Sequence, residues 1–521
     1  MHWKPLLRAT TNPQAAQMAV LKNILKRNQH TDFGRGHGFA AVHSYSDFCN
    51  AVPIQDYETL RPYIEQQDKT REHSLNSQHP QMYSQTSGTT GRPKYIPVLK
   101  SNIKQYRRSQ HIVAYANYAA IPGVYSGKIL GIVGPAVEGY LDSGIPYGSM
   151  SGLIYKSMPA PLRAKYVVPV EILDLKDYEE KYFRIAVHAL MEQNISMIAT
   201  ANPSTLLKLH QVINQRIHEI VDAIDIITPD RGEEIRQLHS LNGTIKFSHL
   251  WSNLKSVVVW TGGSCRALIP ALARLLPKTT HVVEMGYLSS EFRGSITVDA
   301  INNLAIPVIH ENFYEFIECS QRNCDSPEYL TVEQLEPGKQ YYLFATTQCG
   351  LYRYDINDIV EVTGYFNNTP TIRFVQKGKG VINLTGEKLY EDHLLEAIVM
   401  IKQELDIEFN FFIMIGCQQR LQYNLYVEHP PTDMSDIELF LCKQNIEFEA
   451  KRESGRLQPI NIVFVREGTG EAFKRHQLSK GQKEAQYKVV HVQYQHECSF
   501  NFEDYLHRYD DGNTRPYNRE P

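Results

Sequence analysis

Three short strand-like runs constrain this chain more than any other feature: the apolar 195–199 (ISMIA), the β-branched 256–260 (SVVVW) and 281–284 (HVVE). They are strand-length, and turn signals such as Asn202-Pro203-Ser204 and Gly262-Gly263 follow the first two. Helical patterns fill the intervals, one through Leu206, Leu207 and Leu209 and one over 266–276. Buried strands separated by helices predict a parallel α/β sheet. Such sheets place ligands at the carboxyl ends of their strands, which here means the turns after Trp260 and Met285.

With 521 residues the chain exceeds one hydrophobic core, so at least two domains are expected. The polar, glycine-rich stretch Gln376-Lys377-Gly378-Lys379-Gly380 reads as a hinge. After it come a helix near 392–405, strands at 411–415 and 421–427, a helix near 435–444 and a strand at 460–465. The division is therefore a large N-terminal domain (1–375), a hinge (376–380) and a small α+β domain (381–521) with a polar tail after Phe502. Ahead of the sheet, Ala15, Met18, Leu21 and Leu25 mark an amphipathic helix over 13–29. The Gly34 to Gly38 stretch that follows it reads as a turn, because no strand precedes it as a nucleotide loop requires.

Composition narrows the class. The net charge of −3 gives no sign of a nucleic-acid partner. Eight cysteines without a CxxC read as reduced, mostly buried thiols. No run approaches ~20 uninterrupted apolar residues, so a cytoplasmic enzyme is expected.

The strongest local signal is Thr86-Ser87-Gly88-Thr89-Thr90-Gly91-Arg92-Pro93-Lys94, followed by the strand-like Tyr95-Ile96-Pro97-Val98. Glycines let backbone N–H groups approach phosphate oxygens, hydroxyls add hydrogen bonds, and lysine adds charge. The P-loop pattern GxxxxGK[ST] is absent, and taken alone the stretch fits a solvated Ser/Thr/Gly loop equally well.

Three further segments extend the match. The loop resembles the phosphate-loop signature of adenylate-forming enzymes. Tyr287-Leu288-Ser289-Ser290-Glu291 and Gly350-Leu351-Tyr352-Arg353-Tyr354, with Asp358 beyond it, resemble motifs of the Gretchen Hagen family of acyl-acid amido synthetases. Gly386-Glu387-Lys388-Leu389 is similar to a segment of its bacterial members. That resemblance runs in order from the first helix to near residue 495.

The resemblance implies an α/β fold, a large N-terminal adenylating domain with mostly parallel sheets plus the small C-terminal α+β domain. It implies ATP and Mg²⁺, a small carboxylic acid and an amine, in particular an amino acid. By the same resemblance Thr86, Ser87, Gly88, Thr89, Thr90 and Gly91, with Lys94, cradle the β- and γ-phosphates. Thr261 and Gly262 line the adenine pocket, Tyr287 packs near adenine, and Ser289 and Ser290 wall the nucleotide. Asp358 takes the ribose hydroxyls and Glu291 ligates Mg²⁺. Arg353 and Lys488, the latter on the small domain, join Lys94 as catalytic residues. Tyr147, Ser149 and Met150 are candidates for the acid pocket.

Three positions depart from the family pattern. Asn357 stands where glycine is usual, Asp355 where a basic residue is common, and Val490-His491 where Pro-Arg usually follows the late lysine. Asparagine tolerates positive φ, so Asn357 is expected to preserve its turn. The same motifs would also serve an acid–thiol ligase, and the departures would suit a catalytically silent nucleotide-binding protein.

Overall fold

The computed structural model describes residues 2–86, 93–322, 324, 326–378, 380–409, 411–479 and 489–507. They fall into two compact units. The first holds 2–86, 93–378 and Glu453–Arg456; the second holds 380–452 and 457–507.

The parallel sheet is in the first unit. Its strands lie in the order Lys128–Gly131, Ile195–Ala199, Ser256–Val259, His281–Glu284, parallel throughout. Val257 and Val259 point into one core, with Leu206, Leu209 and Trp251, while Val258 points into another with Met197 and Val283. Burial on both faces is why these strands read as continuous apolar runs. The helix expected over 266–276 is instead a 3₁₀ turn, Gly263–Leu268, followed by a short α-helix, Ile269–Ala273. Pro270 has no N–H to donate into a preceding turn, so an α-helix starts at it rather than running through it.

Beside this sheet stands an antiparallel one that local periodicity did not reveal. Its strands are Phe313–Glu318, Gln340–Thr346, Tyr354–Phe366 and Thr369–Lys377, in that order. The N-terminal helix, Pro13–Asn28, buries Leu21, Ile24 and Leu25 in the same core as Phe313, Leu343 and Tyr354. Asn12 caps it, its Oδ1 accepting from Ala15 N at 3.1 Å, with Pro13 in the first turn. The glycine-rich stretch after it forms the short helix Asp32–Gly36. A third sheet contains the hairpin Met82–Thr86 and Lys94–Val98.

The second unit is a mixed sheet in the order Asn461–Val465, Gln422–Glu428, Phe412–Cys417, Val492–Tyr494. Helices Glu391–Leu405 and Ile437–Gln444 bury Leu394, Ile398, Ile437 and Leu441 in its core. Glu387 of the Gly386-Glu387-Lys388-Leu389 segment is fully buried. It accepts from Leu384 N at 2.7 Å and Thr385 N at 2.8 Å, so it organises a loop. No disulfide joins the eight cysteines. Among the described residues no helix is long and apolar enough to cross a membrane.

Candidate active site

Thr86 and Lys94 face each other across the hairpin and close the loop between them. Ser87, Gly88, Thr89, Thr90 and Gly91 lie outside the described residues, as does Lys488. Both hairpin residues are buried, and Lys94 Nζ lies 5.7 Å from the centre of the Tyr57 ring. That ring is fixed by its hydroxyl, which accepts from Tyr95 N at 2.7 Å. An ammonium over an aromatic face is held by electrostatic attraction to the ring.

The turns at the carboxyl ends of the parallel strands are tied together by Glu284, a residue that sequence reasoning missed. Its Oε2 accepts from Thr261 N at 2.7 Å and Thr261 Oγ1 at 2.5 Å, and its Oε1 accepts from Gly286 N at 2.8 Å. An acidic residue ending a strand of the parallel sheet was the available signal. At Gly263, where φ is +57°, a Cβ would lie 2.8 Å from the Phe374 ring. Only glycine admits that approach of turn to aromatic.

Phe374 in turn stacks on Tyr287, with centroids 5.5 Å apart and planes 7° from parallel. The Tyr287 hydroxyl donates to Asp358 Oδ2, and Lys377 Nζ pairs with Asp358 Oδ1. Lys377 also donates to Ile356 O at 3.2 Å. Burial and then the Asp358 charge push the Tyr287 phenol well above its ordinary range, so it acts as a neutral donor. Lys377, read from sequence as part of a polar hinge, is the last residue of a strand and is 4% exposed.

Asp358 reaches this position through a bulge. Leu343 pairs with Asp358 but Phe344 pairs with Asp355, leaving Ile356 and Asn357 looped out. Asn357 takes φ +54°, the backbone its replacement of glycine requires. Asp355 Oδ1 accepts from Asn357 N at 2.8 Å, and its other oxygen pairs with Arg322. The acidic departure at 355 is thus matched by a cation from a distant loop.

Arg353 is not brought to this cluster. Its guanidinium pairs with Glu315 at 2.8 Å, with the two side chains 5% and 1% exposed. It also donates to Val52 O at 2.9 Å and Cys49 O at 3.3 Å. A fork occupied on every side by the protein core has no face for phosphate, which corrects the assignment of Arg353 as a catalytic group to a scaffold one.

After Tyr287 the chain makes a tight turn, with Ser289 Oγ bonded to Phe292 N at 3.3 Å and Phe292 O at 3.2 Å. The Ser289 hydroxyl closes that turn, while Ser290 and Glu291 line a cavity shared with Ile96 to Val98 of the hairpin. Met150 also lines it. Ser149 instead caps the helix Met150–Lys156, accepting from Gly152 N at 3.0 Å, and Tyr147 packs on Tyr95. Glu291 is 6% exposed. Among the described residues no group of three or more His, Cys, Asp or Glu could hold a metal ion. One carboxylate completed by phosphate oxygens is a donor set that suits Mg²⁺ and not a protein-only cage.

The fold is shared with adenylate-forming ligases. A crystal structure of 2-hydroxyisobutyryl-CoA ligase, in complex with 2-HIB-AMP and CoA, matches with a TM-score of 0.53 at 14% identity, over 94% of this chain and 92% of that chain. The chain belongs to the GH3 family: the family's N-terminal domain matches residues 3–281, its central domain 305–377 and its C-terminal domain 392–497. The GH3.15 acyl acid amido synthetase structure matches with a TM-score of 0.64 at 22% identity, over 96% of this chain and 95% of that one. Indole-3-acetic acid-amido synthetase GH3.3 of Arabidopsis thaliana is 22% identical, over 92% of this chain and 89% of its own length.

Proposed function

We propose that this chain uses ATP to convert a small carboxylic acid into its acyl-adenylate and then joins the acyl group to the amine of an amino acid. What supports the reading most is one cavity between the strand after the Ser/Thr/Gly loop and Glu291, in a family whose named relatives are amido synthetases.

The acid's carboxylate attacks the α-phosphorus of ATP and pyrophosphate leaves; the amine then attacks the acyl carbonyl and AMP leaves. Thr86, the residues from Ser87 to Gly91 and Lys94 hold the β- and γ-phosphates with backbone N–H groups, hydroxyls and one charge. Thr261, Gly262, Tyr287 and Ser290 wall the nucleotide, with Ser289 setting the turn. Asp358 accepts from the ribose hydroxyls, as an ionised carboxylate can accept more than one hydrogen bond. Glu291 would hold Mg²⁺, which when bound neutralises phosphate charge. Arg353 positions the segment that carries Asp358. Lys488 reaches the α-phosphate as the small domain, 381–521, turns about 376–380.

Acid-dependent ATP–pyrophosphate exchange over a carboxylic-acid library, followed by amine addition and mass spectrometry, tests the reading. No exchange with any acid sinks it; a coenzyme A thioester in place of an amide assigns the second step to a thiol ligase. Lys488→Ala should leave ATP affinity nearly intact and cut adenylation by about 10²–10³-fold, because its contact forms mainly in the transition state. Normal adenylation, or lost ATP binding, would remove Lys488 from the mechanism.

A further inference from the structure

The cavity beside Glu291 continues to a second carboxylate, Glu311, which no step above uses. Glu311 lies just before the strand Phe313–Glu318, and its side chain is 4% exposed. Oε2 accepts from Ser109 Oγ at 3.2 Å. Oε1 is buried and has no hydrogen-bond partner; Arg108 Nε forms a long ion pair with it at 3.5 Å, and Nε2 of the His310 ring, which burial keeps neutral, lies at 3.6 Å. Gln105 Nε2 donates to the Glu311 carbonyl at 3.3 Å, and Asn102 Nδ2 to Gln105 Oε1 at 3.1 Å, so the surrounding amides are committed to one another. Burial pushes the Glu311 carboxyl up to about 7, against the pull of Arg108, Ser109 and Arg293.

A buried acceptor left without its hydrogen bond costs about 1–3 kcal/mol. In a packed core that would be a defect; in the wall of a substrate cavity it is a recognition group waiting for a donor. The space is narrow, with room for about one water molecule. Its apolar walls include Ile96 and Met150, and the thioether side chain of Met150 can yield to a small guest.

We propose that Glu311 is a specificity residue for the acyl acid, selecting a short carboxylic acid that carries a hydroxyl or amino group, whose O–H or N–H donates to Oε1. The proposal rests on the reading that this chain adenylates acids. The donor does not react: its hydrogen bond is made on binding and kept in the transition state, so its effect falls on kcat/KM.

The test is ATP–pyrophosphate exchange with acids matched in chain length: unsubstituted, hydroxy, amino, and the methyl ether of the hydroxy acid. The hydroxy or amino acid should exceed the unsubstituted acid and the ether by at least about 10-fold in kcat/KM, the scale of a hydrogen bond to a charged or buried acceptor. Which of the two wins identifies the donor. Glu311→Leu should flatten the ranking and Glu311→Gln should keep part of it, a pattern that a merely structural role would not produce. Equal use of all four acids by the unmodified enzyme overturns the proposal and leaves adenylation standing. An unchanged ranking in a folded Glu311→Leu variant does the same. Absence of exchange with every acid overturns both.

Discussion

Two buried ion pairs flank the same bulged segment and do different work. Arg353 meets Glu315 through a fork, and Glu315 Oε1 also accepts from the Tyr45 hydroxyl at 2.9 Å. Lys377 meets Asp358 as a single point charge, and Asp358 shares its other oxygen with Tyr287, which packs on the aromatic wall of the turn cluster. The first pair is closed on itself. The second links side chains from a strand end, a turn and a bulge, so a ligand that touches any of them is felt by all. Glu311 extends the series: it is as buried as the others, yet its cation, Arg108, stands off at 3.5 Å. The three carboxylates are comparably buried and differ in how closely their partners meet them.

The largest expected effect breaks the closed pair. Arg353→Met leaves Glu315 charged in the core and should lower stability by ~3–5 kcal/mol in chemical denaturation. Adding Glu315→Leu should restore most of it, because a charge pair replaced by apolar groups is often neutral. A stable Arg353→Met protein that binds ATP but fails to adenylate would return Arg353 to the catalytic group.

Next comes the poorly partnered carboxylate. The unfolded chain gives up the Glu311 proton near 4.5 and the folded chain near 7, so stability from this group falls as pH rises across that window. Burial, with Arg108 and His2 nearby, holds His310 at about 4 against its ordinary 6.5, so its contribution falls in the opposite direction, as pH drops below 6.5. The two slopes oppose one another in the unmodified protein. Comparing Glu311→Gln with it isolates one: the variant's relative stability should grow between pH 4.5 and 7 by on the order of a few kcal/mol. A constant difference would mean that Glu311 ionises normally.

Asp358→Asn then probes the shared pair. The amide can still accept from Tyr287, and Lys377 can shed its orphaned charge by losing a proton to become a neutral amine, so stability should fall less than in Arg353→Met, while ATP binding by calorimetry should weaken by ~1–3 kcal/mol. Unchanged affinity would make Asp358 scaffold as well.

What the sequence disclosed follows the range of the forces involved. Strands 195–199 and 256–259 were legible because burial on both faces writes itself into consecutive residues. Lys377 was not, since nothing around it announces that its counter-charge sits on the neighbouring strand. Motif resemblance supplied residue types without their directions: Arg353 and Asp358 belong to one motif yet face different partners. Arg353 precedes the strand with its backbone at φ +45°, while Asp358 follows the bulge within the strand, so spacing in the motif does not fix where either side chain goes. Glu284 and Glu311 carry no motif: a strand-end position hints at the first, and the distances to its partners reveal the second.

The smallest effect belongs to Asn357, and it tests whether the bulge or the side chain matters to the second pair. Its backbone, at φ +54°, is fixed from both sides: its N–H donates to Asp355 Oδ1 at 2.8 Å, and its carbonyl accepts from Gly378 N at 2.8 Å. Alanine there must hold a left-handed conformation without asparagine's tolerance for it, so Asn357→Ala should cost ~1 kcal/mol of stability. Because Asp358 is the next residue, ATP affinity should fall with it. Glycine accepts the same φ without strain, so Asn357→Gly should stay within a few tenths of a kcal/mol of the unmodified protein in stability and keep its ATP affinity. If Asn357→Gly instead loses ATP as Asp358→Asn does, the asparagine side chain itself meets the nucleotide, and the open side of the second pair is wider than Tyr287, Lys377 and Asp358 alone.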